Sequence, residues 1–207
     1  EEDGHLVVHE AHYSNLRREV AYLVRWATAE VRAQYPDTGP VGLFDMSQWD
    51  GDTPGRMVGQ LRHPEGTHVG GNDLDIAYYA SNGDNTGTYA CSSHDQYFCT
   101  GPANLLDVEK TTFLLSKLLQ SPMTRVIGID PAVADVVLPM AQDLQDQGLI
   151  DNAQQFGWKL AYGDGWPFHH HHLHFSWQWE GGYEGRDTAT EGCGVSPELD
   201  PIALRLR

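Results

Sequence analysis

Basic residues are scarce in this chain, which has 13 Lys and Arg against 29 Asp and Glu and a formal net charge of −16. Nucleic-acid binding depends on a basic surface, so this balance argues against a nucleic-acid partner and against an anionic membrane surface. The sequence also lacks an apolar run long enough for a transmembrane helix. Its 207 residues, 40% of them hydrophobic, instead predict one globular domain over residues 1–207.

Cysteine is scarce as well, with only Cys91, Cys99 and Cys193 in the chain. Their spacing is not that of a cysteine zinc site. Cys91 and Cys99 bracket a short loop and are candidates for a disulfide, but the sequence leaves their pairing open. The chain begins at Glu1 without methionine, as a processed exported protein does, although an arbitrary chain boundary gives the same start.

Hydrophobic periodicity predicts both helices and strands along the chain. Helices are predicted over 10–34, 108–119 and 131–147, and strands over 41–47, 74–80, 125–129 and 172–179. Residues 48–59 and the glycine-rich segment 81–104 are predicted loops, and a loop as long as the second often surrounds a functional site. We therefore expect an α+β fold with a small, mainly antiparallel central sheet that carries the site, flanked by helices and long loops.

A histidine run near the end of the predicted fold is the clearest chemical signal. Five of the eleven histidines lie between His169 and His174, interrupted only by Leu173. In a strand, residues two apart point to the same face, so His172 and His174 are expected to project side by side. Two neighbouring imidazoles suit either two zinc ligands or one ligand beside an acid–base group.

An upstream loop supplies the other half of a metal site. His68 and Asp75 are separated by a segment that contains Gly70 and Gly71, which allow the loop to fold back. A buried carboxylate at the head of an apolar strand is costly unless it is paired or binds a metal. His68, Asp75 and one late imidazole would give three protein ligands and leave a position for water, as in catalytic zinc sites. The residues alone leave open whether His172 or His174 is that third ligand.

The pattern of His68, Asp75, an intervening Gly71 and a later His-x-His pair resembles the LAS group of metallopeptidases. The closer resemblance is to the penicillin-insensitive murein endopeptidases, whose His-x-x-His-x-His segment is matched by His169, His172 and His174. The segments 44–47 and 124–131 also resemble that family, and the likeness spans roughly residues 40–180. The segment 81–104 and the two ends of the chain do not obviously match.

This resemblance implies that zinc is bound by His68, Asp75 and His174. It implies that His172 is the catalytic imidazole beside the metal, while His169 orients water or substrate. It leaves His170 and His171 without an assigned role. The implied reaction is hydrolysis of peptide cross-links in bacterial peptidoglycan, at a D-Ala–diaminopimelate or related bond, by a periplasmic or secreted enzyme.

Other functions are also compatible with the sequence. They are a D,D-carboxypeptidase or dipeptidase of the same group, a non-catalytic zinc-binding or metal-sequestering module, and a degenerate Hedgehog-like binding domain. Among the remaining polar side chains, we expect His63 and His94 at the surface. Asp73, two residues before Asp75, could compete with it as a ligand, but a loop cap is the preferred interpretation. Asp45 is equally compatible with a role behind the metal ligands and with a turn. Trp166 and Trp177 are expected in the core.

Overall fold

The computed structural model describes residues 4–8, 13–57, 60–61 and 63–178. Their helices and strands, in chain order, are β1 (His5–Val7), α1 (Arg18–Gln34), β2 (Val41–Leu43), β3 (Arg56–Met57), β4 (Gln60–Leu61), β5 (Asp73–Ala77), α2 (Val108–Leu119), β6 (Thr124–Gly128), α3 (Pro131–Asp146), α4 (Ala153–Lys159), β7 (Leu160–Ala161) and β8 (His172–Trp177). No helix in these described ranges is long and apolar enough to cross a membrane.

The α+β expectation is confirmed, but the expected mainly antiparallel sheet is wrong. Six strands form a mixed sheet in the order β1-β2-β5-β8-β6-β7. The central pairs are antiparallel, whereas β1 pairs with β2 and β6 pairs with β7 in parallel. Parallel neighbours need a crossover connection, which α1 provides at one edge and α3 with α4 at the other.

The three long helices lie close to their predicted positions. Helix α2 has the predicted bounds and is capped by Asp107, whose carboxylate accepts a hydrogen bond from the Lys110 N–H. Asp130 caps α3 in the same way, and Gly148, with a φ of +73°, follows its end as predicted. The predicted first helix began too early, since α1 begins at Arg18; residues 10–12 of that prediction lie outside the described ranges.

Strand bounds differ from the predictions by a few residues. Strand β2 is shorter than predicted, β5 and β6 each begin one residue earlier, and β8 ends at Trp177, with Trp179 outside the described residues. The predicted loop 48–59 contains β3, while residues 58–59 are not described. Cys193 and the tail after residue 178 also lie outside the described part.

The two central strands each have an apolar face and a polar face. The apolar side chains of β5 and β8 belong to the same buried cluster as Val24 of α1, Leu115 of α2 and Val137 of α3. Trp166 and Trp177 are buried, as expected. The opposite face of these strands carries the histidine and aspartate side chains, so the central pair β5–β8 positions the candidate site.

Candidate metal centre

The antiparallel pairing of β5 and β8 brings together side chains that are far apart in the sequence. Asp75 lies directly opposite His174, and Ala77 lies opposite His172. Because alternate residues share a face of a strand, Asp73, Asp75, His172 and His174 all lie on one face of the sheet. The expected pair of imidazoles beside an upstream carboxylate is therefore present.

The Asp75 carboxylate is surrounded by four imidazoles. On one side, its Oδ1 lies 3.0 Å from Nδ1 of His174 and 3.5 Å from Nε2 of His68. On the other side, its Oδ2 lies 3.6 Å from Nε2 of His172 and 3.8 Å from Nε2 of His63. Asp75 is thus the centre of the cluster, and the two members of the His-x-His pair face different oxygens of the same carboxylate.

The loop that carries His68 is held in a conformation that few residues adopt. His68 itself has a φ of +55°, and Gly71 has a φ of +71°. A Cβ at Gly71 would lie 2.6 Å from the backbone nitrogen of Arg17, whose N–H donates a hydrogen bond to the Gly71 carbonyl. A positive φ at a residue with a side chain is strained and persists where the surroundings enforce it. Here that conformation places the His68 imidazole against Asp75.

Three residues bring their ligand atoms close enough to bind a metal ion. One atom each from His63, His68 and Asp75 lies within 4.8 Å of the others. His68 and Asp75 were predicted from the sequence, whereas the expectation that His63 lies at the surface is wrong. Its side chain is only 16% exposed and lies 2.7 Å from the Asp45 carboxylate. The one sequence signal for His63 was its place just before His68 in the same loop.

The chemistry of the donors fits a divalent metal. His68 is completely buried, and neither of its ring nitrogens has a hydrogen-bond partner among the described residues. Burial lowers the pKa of His68, which keeps the imidazole neutral with a lone pair for a ligand. Leaving such a group buried and unpaired costs about 1–3 kcal/mol, a cost that metal binding would remove.

The Asp75 carboxylate is ionised despite its burial. Burial alone would raise the pKa of Asp75, but the neighbouring His68 and His172 and the hydrogen bond with His174 lower it well below its usual value. An anionic carboxylate beside a neutral imidazole, as in Asp75 beside His68, is a common ligand pair for divalent transition metals. Ligand atoms of a tetrahedral zinc site lie roughly 3.4 Å apart, and Asp75 Oδ1 lies 3.5 Å from Nε2 of His68. The 3.0 Å contact between Asp75 and His174 is a hydrogen bond, and among the described residues the converging group contains His63 in place of His174.

Two further carboxylates lie behind the imidazoles. Asp45 Oδ2 is 2.7 Å from Nε2 of His63, and Asp73 Oδ1 is 3.5 Å from Nε2 of His174. Burial would lower the pKa of His174, but its contacts with Asp73 and Asp75 raise it to about 9. Asp73 is therefore not the expected loop cap, because it is the first residue of β5 and faces an imidazole of the site.

In the rest of the histidine run, two side chains lie beside the site and one packs against the neighbouring loop. The His169 ring lies 5.0 Å from the ring of His172, and burial lowers the pKa of His169 to about 4. Nε2 of His171 lies 3.2 Å from Nδ1 of His172, within hydrogen-bonding distance. The His170 ring instead stacks on Tyr89, with centroids 4.8 Å apart and planes 2° apart. His169 and His171 thus border the site, while His170 packs against the neighbouring loop.

That neighbouring loop is the long segment 81–104. Cys91 and Cys99 form a disulfide within it, which answers the question that the sequence left open. The Phe168 N–H donates to the Tyr97 carbonyl at 2.7 Å, and the Ala90 N–H donates to the His170 carbonyl at 2.8 Å. The loop therefore anchors the segment that leads into β8. His94, also in this loop, is exposed as expected.

Comparison with known proteins assigns no family to this chain. No protein-family model matches the chain, and no curated protein sequence matches it. The residues of the site and the sequence pattern that they form are therefore the basis for a functional assignment.

Proposed function

We propose that this protein is a zinc metallopeptidase that hydrolyses peptide cross-links of bacterial peptidoglycan, at bonds of the D-Ala–diaminopimelate type. The observation that carries the proposal is the arrangement around Asp75. His68 and His174 face one carboxylate oxygen, and the remaining imidazole of the His-x-His pair, His172, lies 3.6 Å from the other. This arrangement supports separate roles for the histidines, as the resemblance to the murein endopeptidases implies.

In this proposal, His68, Asp75 and His174 would bind the zinc ion. Two imidazoles and one carboxylate are ordinary zinc ligands, and three protein ligands are typical of catalytic sites. Because the pKa of His174 is raised to about 9, its imidazole would release a proton when zinc binds. When bound, zinc provides a Lewis acid and lowers the pKa of water towards about 7. Asp73 faces the second nitrogen of His174 and would hold that ring in place, as carboxylates behind metal-bound histidines commonly do.

His172 is the proposed acid–base residue. Burial lowers the pKa of His172 well below its usual value, although Asp75 opposes the shift, so the imidazole is neutral and carries a lone pair. In this role it would accept a proton from the attacking water and return it to the departing amine. The neighbouring His171 contacts its Nδ1, and His169 is proposed to orient water or substrate from the next ring in the cleft.

A periplasmic or secreted location accompanies this proposal, because peptidoglycan lies outside the cytoplasm. The Cys91–Cys99 disulfide gives weak support, since disulfides persist mainly in oxidising compartments.

The proposal is tested by incubating the protein with purified peptidoglycan sacculi and identifying the released muropeptides by mass spectrometry. We expect cross-linked dimers to be converted to monomers, and we expect a chelator to stop the reaction. His172→Ala should abolish cleavage while the zinc content stays at the wild-type level, and His94→Ala, a variant of an exposed histidine, should cleave normally. Cleavage that survives in His172→Ala, or in the presence of chelator, would contradict the mechanism.

The same measurement separates the alternatives. A D,D-carboxypeptidase would release single D-Ala residues from stem peptides and leave the cross-links intact. A non-catalytic metal-binding module is favoured by one observation: His63 and His169 add imidazoles beyond those that three-ligand zinc binding and acid–base chemistry require. Such a module would bind several zinc ions per chain and release no muropeptide.

A further inference from the structure

Asp45 has a specific place beside the metal centre. It follows β2, its side chain is almost fully buried, and its carbonyl oxygen accepts a hydrogen bond from the Asp75 N–H at 3.0 Å. Its carboxylate Oδ2 lies 2.7 Å from Nε2 of His63. Asp45 is therefore fixed by its backbone to the strand that carries Asp75, while its side chain contacts an imidazole of the cluster.

His63 differs from the other imidazoles around Asp75 in how it is held. His172 and His174 belong to a strand, and His68 is completely buried. His63 lies outside helices and strands and is 16% exposed, with its ring 4.0 Å from the His68 ring. A side chain on such a segment loses rotamer freedom when it takes a single orientation. The short contact with Asp45 is suited to fixing that orientation.

We propose that Asp45 is a positioning residue that holds His63 as an additional nitrogen donor of the metal centre. The Asp45 carboxylate only accepts hydrogen bonds when it is ionised, so Nε2 of His63 donates to it and Nδ1 keeps the lone pair that a metal requires. Carboxylates that fix the tautomer and orientation of histidine ligands in this way are frequent behind metal sites. Catalytic zinc sites expand to five ligands, so a fourth protein donor still leaves a place for water.

A second imidazole of the site contacts two carboxylates, but in a different way. His174 faces Asp75 with Nδ1 and Asp73 with Nε2. In His63, Nε2 faces both Asp45 Oδ2, at 2.7 Å, and Asp75 Oδ2, at 3.8 Å. The shorter contact assigns the Nε2 proton of His63 to Asp45, and His63 belongs to the group whose ligand atoms converge.

The test measures zinc affinity on the full chain, without measuring hydrolysis. The protein is freed of metal with a chelator, and zinc is titrated in competition with a chromophoric chelator for wild type, Asp45→Asn, His63→Ala and the double variant. Removing a carboxylate behind a ligand costs about 10–100-fold in metal affinity. We expect a loss of this size in each single variant, and no further loss in the double variant because both changes remove the same contribution.

Control variants separate this role from a general effect on folding. Asp130→Asn alters a buried carboxylate that caps α3, and His94→Ala removes an exposed imidazole; both should bind zinc as wild type does. Thermal unfolding of the metal-free variants identifies any that fail to fold. Cobalt(II) in place of zinc gives a second readout, because its visible spectrum should change in His63→Ala and Asp45→Asn but not in the controls.

Three results would overturn the proposal. They are wild-type zinc affinity in His63→Ala, wild-type affinity in Asp45→Asn, and losses that simply add in the double variant. The positioning role of Asp45 and the proposed function can fail separately. A protein that binds zinc through His63 without cutting peptidoglycan would pass the zinc-affinity test and fail the test with sacculi.

Discussion

The two faces of strands β5 and β8 offer a direct comparison within one molecule. On one face, every side chain is apolar and buried: Leu74, Ile76, Leu173 and Phe175, which have no exposed surface, and Trp177, which is 8% exposed. On the other face lie buried or largely buried polar side chains: Asp73, Asp75, His172, His174 and Ser176. Both sets are held by the same backbone pairs, so the difference between them comes from the side chains alone.

The difference separates a face that stabilises the fold from a face that could contribute to metal binding. Burial of an apolar side chain stabilises the fold by itself, whereas a buried ionised group is costly unless it is paired. The polar face is tolerated because its groups pair with one another, as Asp75 does with His174. The pairing is incomplete at Nε2 of His174 and at both ring nitrogens of His68, which meets this face from the preceding loop; none of the three has a hydrogen-bond partner among the described residues. This deficit is what makes the polar face a candidate site.

The largest effect is expected from a change on the apolar face. Phe175→Ala should lower the free energy of unfolding by about 3–5 kcal/mol, because it removes a completely buried aromatic ring from the core. Zinc stoichiometry should not change, since the donors lie on the other face. Denaturant unfolding and metal analysis measure the two quantities.

Ser176, the next residue along β8, lies on the polar face and is compared with Phe175. The hydroxyl of Ser176 accepts hydrogen bonds from the Arg125 guanidinium at 2.8 and 3.0 Å. Ser176→Ala should therefore cost less, about 1–3 kcal/mol. A Phe175→Ala variant that is no less stable than Ser176→Ala would contradict the assignment of the two faces.

A smaller effect is expected from removing the metal. Zinc at 100 times its dissociation constant should stabilise the folded protein by about 2.7 kcal/mol, and a chelator should reverse this gain. Thermal unfolding with and without zinc measures the shift. In His68→Ala the shift should be lost, because His68 belongs to the converging donor set. If that variant kept the full shift, the metal would be bound elsewhere.

The sequence predicted the longer elements of the fold better than the sheet's edges. Helix α2 spans three turns and its amphipathic pattern gave both bounds correctly. Strands β1 and β7 have three and two residues, too few for a period to be recognised, and α4 has only seven. Strands β1 and β7 form the parallel pairs at the two edges of the sheet, and α4 belongs to one of the crossovers. Because the sequence did not reveal these short elements, a mainly antiparallel sheet was expected.

The candidate site was predictable where local spacing determined it. The separation of His172 and His174 fixed their common face, and the glycines after His68 indicated the turn back to Asp75. Asp45 and His63 reach the cluster through tertiary contacts across β2 and a loop. The sequence left Asp45 open between a place behind the metal ligands and a turn, and no local pattern placed His63 in the cluster. Asp73 was misassigned because the sequence did not show that β5 begins at that residue.

The smallest predicted effect concerns two adjacent tyrosines just after β5. Tyr78 and Tyr79 are each 1% exposed, but only one is bonded through its hydroxyl. The Tyr78 hydroxyl donates to the His169 carbonyl at 2.9 Å and accepts from the Asp130 N–H at 3.4 Å. The Tyr79 hydroxyl has no hydrogen-bond partner among the described residues.

Removing the two hydroxyls should therefore have different consequences. Tyr78→Phe should lower the free energy of unfolding by about 0.5–1.5 kcal/mol, because it removes a hydrogen bond that anchors the backbone of His169. Tyr79→Phe should cost nothing or stabilise the protein slightly, since it removes a polar atom that is buried without a partner. Urea unfolding of the two variants compares them directly at the same burial and volume change. Equal losses in both would show that the Tyr78 hydroxyl does not anchor the histidine segment at the edge of the metal centre.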